Sequence, residues 1–303
     1  MQTRAEFAER RAKERREEAP AYARQERTEL APQQQKQQRK ERWREDKIGV
    51  VYDALAKPQP DAAYGEYLGA EAKIKTYVAT MQPWESFGWF LRVEALKRGY
   101  VKAVAKLFLA DGAPHIREMQ KLHFPDATFI LDWAHAVEHV SACARALFGE
   151  GTDEARGWYH EHKSMLWDGK RDDLIAEMQK QSRRLGSPGE NEPDSSPRKV
   201  LHRNAYSYFP NNRAAIDYPS FRAKGWPIGS GVVEAGVKQF GIRMKSSEKF
   251  WNLGGFEPDA DSAEADPSQT GAEEMLALRA LYLSEDGRWQ RYWEERGRPK
   301  RWT

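Results

Sequence analysis

The run Pro227-Ile228-Gly229-Ser230-Gly231-Val232-Val233-Glu234 places one carboxylate just after a glycine turn, at the start of a helical pattern carrying Lys238, Arg243, Lys245 and Lys249. At 100° per residue, Lys245 and Lys249 fall about 20° to either side of Lys238, and Glu234 falls about 40° away. One acid beside a cationic stripe suits a metal ligand working next to a nucleic-acid backbone. The plainer alternative is a first-turn glutamate complementing the helix dipole on a solvated helix. Val233, Val237, Phe240 and Met244 form a separate face expected to pack inward. Two more carboxylates, Asp111 and Asp132, follow apolar runs that read as strands, where open α/β sheets carry their sites. Asp111-Gly112 is also a common turn, and Asp132 is a natural N-cap for the helix after it. Several such carboxylates can hold Mg²⁺ or Mn²⁺ for phosphoryl transfer, because hard cations prefer oxygen ligands.

A rival signal is His135-Ala136-Val137-Glu138-His139, the H-x-x-E-H pattern of inverted zinc metallopeptidases. Two imidazoles one turn apart more often serve as hydrogen-bonding partners, and no downstream acidic helix stands out as a third ligand.

The elements that would position these groups come next. Residues 1–47 hold 14 Lys/Arg and 10 Asp/Glu with almost no aliphatics, and Gln33–Gln38 is Gln-rich, so residues 1–42 read as a disordered or frayed helical leader. Lys47–Tyr52, Lys75–Thr80, Val101–Ala110 and Ala127–Leu131 read as strands. Trp84–Arg98 reads as a helix closed by Gly99, Ile116–Leu122 as a short helix, and the apolar spacing from Trp133 to Leu147 as another. Residues 43–140 thus form the first part of an α/β core. Residues 141–224 form a helical insertion with a linker at 186–197, and 225–303 carry the glycine turn and closing helices. The stretch Phe256–Thr270 has five acids and no base, which predicts a disordered loop.

Composition narrows the classes. The net charge is +3, so any polyanion-binding surface must be local. Cys143 is the only cysteine, which excludes an internal disulfide and a cysteine-based zinc site. Neither a membrane span nor a signal-peptide core is visible, and a cytoplasmic protein is expected.

Taken together, Asp111-Gly112-Ala113, His123-Phe124-Pro125, Ile130 to His135 and Glu138-His139 resemble the middle of ISKra-type bacterial insertion-sequence transposases. Asn212-Arg213, Tyr218, Phe221-Arg222-Ala223, Pro227 to Glu234, Arg243-Met244-Lys245, Gly271-Ala272-Glu273 and Leu278-Arg279-Ala280 extend the resemblance, and Trp43 to Lys47 resembles the stretch that opens the family's second strand. The resemblance implies a DDE transposase with an RNase H-like mixed sheet, a helical insertion before the last catalytic helix, and Mg²⁺ or Mn²⁺ as cofactor. It implies DNA as partner and assembly as a homo-oligomer on that DNA. Asp111 would match the second catalytic aspartate and Glu234 the catalytic glutamate, both as metal ligands. Asp132 and His135 resemble the (C/D)-x-x-H motif shared with Mutator-like transposases, a support for the site, with Asp132 the alternative second ligand. The family's first aspartate lies on a first, central strand upstream of Trp43. Here that region is the charged leader without an Asp before Asp46, so an N-terminally truncated, inactive copy is expected. Remaining readings are the zinc metallopeptidase and a non-catalytic DNA-binding remnant.

Overall fold

Alternating apolar residues in Lys47–Leu55 (β1) and Glu71–Thr80 (β2) make an antiparallel pair, with Lys47 opposite Thr80 and Leu55 opposite Glu71. The structure is a computed structural model that describes residues 45–245 and 271–297. The register slips between Val51 and Asp53, where β2 places Ile74 at φ 46°, a left-handed conformation costly for a β-branched residue. Trp84–Lys97 (α1) packs on this pair, ending at Gly99, whose φ of 84° lets the chain turn out of the helix.

Leu107–Ala110 (β3) and Thr128–Leu131 (β4) form a second, parallel pair, joined by Pro114–His123 (α2). The strand expected over Val101–Ala110 is therefore shorter. Tyr100–Lys102 is a 3-10 turn, and strand geometry begins only where β4 offers partners, at Leu107 opposite Thr128. It is also half-buried instead of buried, because among the described residues β3 has a strand neighbour on one side only. The α/β class holds: the described residues are mostly helical with two small sheets, where a mixed sheet lacking its first central strand was expected. The two sheets meet a common apolar cluster. Val51 of β1, Val78 of β2 and Phe108 of β3 all pack on the cluster of Leu91, Ala95, Phe124 and Ala127.

The helical part follows: Trp133–Phe148 (α3), Asp153–Trp167 (α4), Arg171–Leu185 (α5) and, after a stretch without regular structure, Pro197–Arg203 (α6). Asn204–Tyr208 widens into a π turn whose Phe209 N–H bonds the Asn204 carbonyl five residues back. Proline at 210 has no N–H for the regular ladder, a local cause for the widening. Tyr218–Ala223 (α7) then leads to Gly231–Met244 (α8), Gly271–Leu283 (α9) and Arg288–Gly297 (α10). The main core joins β4, α3, α4, α5 and the 201–228 segment around Ile130, Leu131, Val140, Leu174, Met178 and Tyr218.

Residues 56–70 clamp the first sheet to this helical part. Lys57 and Gln59 donate to the carbonyls of Gly225 and Arg222 at 3.2 and 3.0 Å, and Tyr67 donates to Trp226 at 2.6 Å. Helix α8 seats differently from the expected face. Gly236 and Phe240 are buried and Met244 packs on the first-sheet cluster, while Val237 is 39% exposed. The reason is a close approach: a Cβ at Gly236 would stand 2.6 Å from the Tyr77 ring, so the helix sits on its 236–240–244 line. The leader (1–42), the acidic stretch (256–270) and Lys249 lie outside the described residues.

Candidate active site

The parallel pairing of β3 and β4 ends with Ala110 opposite Leu131, so Asp111 and Asp132 leave adjacent strand tips. The Asp132 N–H donates to the Ala110 carbonyl at 2.8 Å, holding the tips together. Asp111 Oδ1 accepts from the Ala113 N–H at 2.9 Å, closing a tight turn. That turn requires Gly112: φ is 79°, and a Cβ there would meet Leu131 at 2.5 Å.

Asp132 is fully buried, and backbone amides engage both its oxygens. Oδ1 caps α3 by accepting from the His135 N–H at 3.0 Å, as its N-cap spacing led one to expect. Oδ2 accepts from the Ser230 N–H. Beside it, the Trp133 N–H donates to the Ile228 carbonyl at 2.8 Å. The β4–α3 junction thus holds the glycine turn at two points, and α8 starts from that turn. Glu234 comes one helical turn later, exposed, with Oε1 accepting from the Ser230 hydroxyl at 3.0 Å. The turn that precedes Glu234 by four residues is therefore held beside Asp132, at the end of the β3–β4 pair that also carries Asp111.

The other candidates surround this end. His135 Nδ1 lies 3.2 Å from Glu138 Oε2, so the first two members of the H-x-x-E-H pattern face each other. His139 is turned away, with Nδ1 2.6 Å from the Asn204 side-chain oxygen and its ring stacked on Tyr208 at 3.5 Å. Burial, the largest influence, holds its imidazole below the ordinary pKa. On α8, Lys238, Arg243 and Lys245 are exposed, with Lys245 Nζ 3.9 Å from Asp46. Among the described residues no group of three or more His, Cys, Asp or Glu is arranged to hold a metal.

No family model, curated protein or solved structure matches the chain. No helix among the described residues is long and apolar enough to cross a membrane.

Sequence reasoning missed Tyr208. Its hydroxyl donates to the Asp111 carbonyl at 3.1 Å, tying the helical part to the catalytic candidate. Burial, then the charges of Asp111, Asp132 and Glu138, push its phenol well above the ordinary range, so it stays a protonated donor. Asn212 supports the same turn from below: its side chain fills the space beside Gly112 and donates to the Tyr208 carbonyl at 3.0 Å. The only sequence signal for Tyr208 was an aromatic run before a proline, which many packed helices share.

Proposed function

We propose that this chain is the catalytic portion of a DDE transposase of the ISKra type, with an RNase H-like arrangement and metal-dependent DNA strand cleavage and strand transfer as the activity of the complete site. The observation that carries this reading is the pin at Asp132. Asp132 holds the Ser230 N–H, and so the glycine turn that leads into the Glu234 helix, at the strand ends that carry Asp111. The sheets support it as well. β1 and β2 are antiparallel, β3 and β4 parallel, and residues of β1, β2 and β3 pack on one apolar cluster. Among the described residues β3 is wholly apolar and half-buried with a strand on one side only, unusual for parallel strands, which as a rule are covered on both sides, and one further strand beside it would extend the sheet.

In this reading Asp111 and Glu234 are the metal-binding pair and Asp132 is a positioning residue, since both its oxygens are already committed to amides. His135 flanks the site through Glu138. The oxygen donors suit Mg²⁺ or Mn²⁺, which would activate the attacking and leaving oxygens. Two carboxylates are fewer than a two-metal site needs, so the described residues hold an incomplete set. Lys238, Arg243, Lys245 and Lys249 would contact phosphates in a homo-oligomer assembled on DNA in the cytoplasm. The zinc peptidase reading draws no support from His139, whose ring is committed to Asn204 and Tyr208.

The test is end cleavage of labelled DNA from either side of the reading frame, with Mn²⁺, by the chain alone and with upstream coding sequence restored in phase. Cleavage by the restored protein that Glu234→Ala abolishes supports the proposal. No cleavage in either form, or zinc-dependent peptide hydrolysis lost in His135→Ala, overturns it.

A further inference from the structure

A second surface lies on the last two helices and shares only Arg243 with the proposed DNA contacts of α8. Helix α10 has no buried residue, yet it is rich in large rings. Trp289 meets Tyr282 of α9 edge-on at 5.2 Å and Trp293 at 5.4 Å, and Trp293 meets Tyr292 at 5.2 Å. Tyr282 and Trp293 remain 53% and 49% exposed, and Trp289 and Tyr292 are half-buried between them. Guanidinium groups accompany it: Arg279 lies 5.3 Å from the Tyr282 ring and Arg296 4.5 Å from the Tyr292 ring.

Charge is sorted around α10. At 100° per residue, Tyr292, Arg296, Trp289 and Trp293 fall within an arc of about 100°. Glu294 falls about 100° beyond one edge of that arc and Glu295 about 60° beyond the other. The row also runs into the cationic side of α8, where Arg279 donates to the Gln239 carbonyl at 3.0 Å and Arg243 is exposed.

We propose that the Tyr282–Trp289–Trp293–Tyr292 row, with Arg243, Arg279 and Arg296, is a binding surface for single-stranded nucleic acid. Exposed rings supply stacking platforms that every base can use, and arginines alongside take the phosphates. A duplex would use the arginines and leave the rings idle, because its bases are already stacked.

The test is fluorescence anisotropy with labelled oligothymidylate and oligouridylate of about 16 nucleotides, and with a duplex of equal length, across a salt series. Trp293→Ala and Trp289→Ala should each weaken single-strand binding about tenfold and leave duplex binding unchanged. Trp293→Phe should restore most of the loss, and Arg243→Glu with Arg296→Glu should flatten the salt slope. Circular dichroism of each variant shows that α10 remains folded. A preference between the two oligomers assigns the strand as DNA or RNA, and tighter binding of either one supports the proposal. Absence of single-strand binding, or equal losses for single strand and duplex in the tryptophan variants, overturns it.

Discussion

Asp132→Ala should destabilise this protein substantially, whereas removing the charge from Glu234 should not. In the native chain Asp132 is fully buried and accepts two backbone N–H groups, from His135 at 3.0 Å and from Ser230. Losing the N-cap costs about 1 kcal/mol. Leaving the Ser230 N–H without its acceptor costs about 1–3 kcal/mol. The total of about 2–4 kcal/mol is a large share of the roughly 5–15 kcal/mol that holds a domain folded. For a domain of this size, each kcal/mol moves Tm by about 2–4 °C, so a fall of roughly 5–15 °C is expected in calorimetry. Asp132→Asn keeps one acceptor and turns an amide N–H₂ toward one of the two donors, so it should recover only part of the loss. Glu234→Gln is the control. Its carboxylate is exposed and bonded to a neighbouring hydroxyl, so the change should stay within about 0.5 kcal/mol. If Asp132→Ala leaves Tm unchanged, or Glu234→Gln lowers it as much, the division between pin and ligand is wrong.

Acid should also weaken the fold. Burial, the largest influence in each case, lowers the pKa of His123, His139 and His162 below 6.5, so the unfolded chain takes up protons first. Stability should be full above pH 6.5 and fall as pH drops toward the depressed native values, and urea titrations of His162→Gln should show a shallower fall. Ile74→Gly should raise stability by about 1 kcal/mol, since φ 46° suits glycine and the Ile74 side chain is 44% exposed; a lower urea midpoint would count against strain there. Gly225→Ala should cost about 2–5 kcal/mol, because a Cβ there, at φ 68°, would stand 2.4 Å from the Lys57 backbone. Limited proteolysis should then cut within residues 56–70, and an unchanged digest would mean that the clamp is dispensable.

The elements were legible wherever local pattern and tertiary demand agreed. Lys47–Tyr52 and Trp84–Arg98 have clear periodicity and a clear stop, and both folded within a few residues of their expected bounds. Val101–Ala110 misled because an apolar run says that a segment avoids water, not that it has a partner to pair with. Strand length there was decided by β4, at a distance the run itself does not encode. Val237 misled for a related reason. Four valine, phenylalanine and methionine positions outlined a face, yet the absence of a side chain at Gly236 let Tyr77 approach, so Phe240 and Met244 face inward while Val237 turns outward.

For the candidate site, residue types marked the positions but not their roles. Asp111, Asp132 and Glu234 are all carboxylates after an apolar run or a glycine turn, and sequence could not say which would be spent on backbone amides. Burial separates them. A fully buried carboxylate with two amide donors has no oxygen to spare, while Asp111 keeps one oxygen outside its turn and Glu234 stands in solvent. The reach of Tyr208 to the Asp111 carbonyl was invisible for a different reason. It depends on one extra residue in a helical turn, which shifts every side chain after it by about 100°. Periodicity assumes an unbroken ladder, so it fails at such a turn, and here the turn brings the helical part into contact with the segment that carries the candidate chemistry.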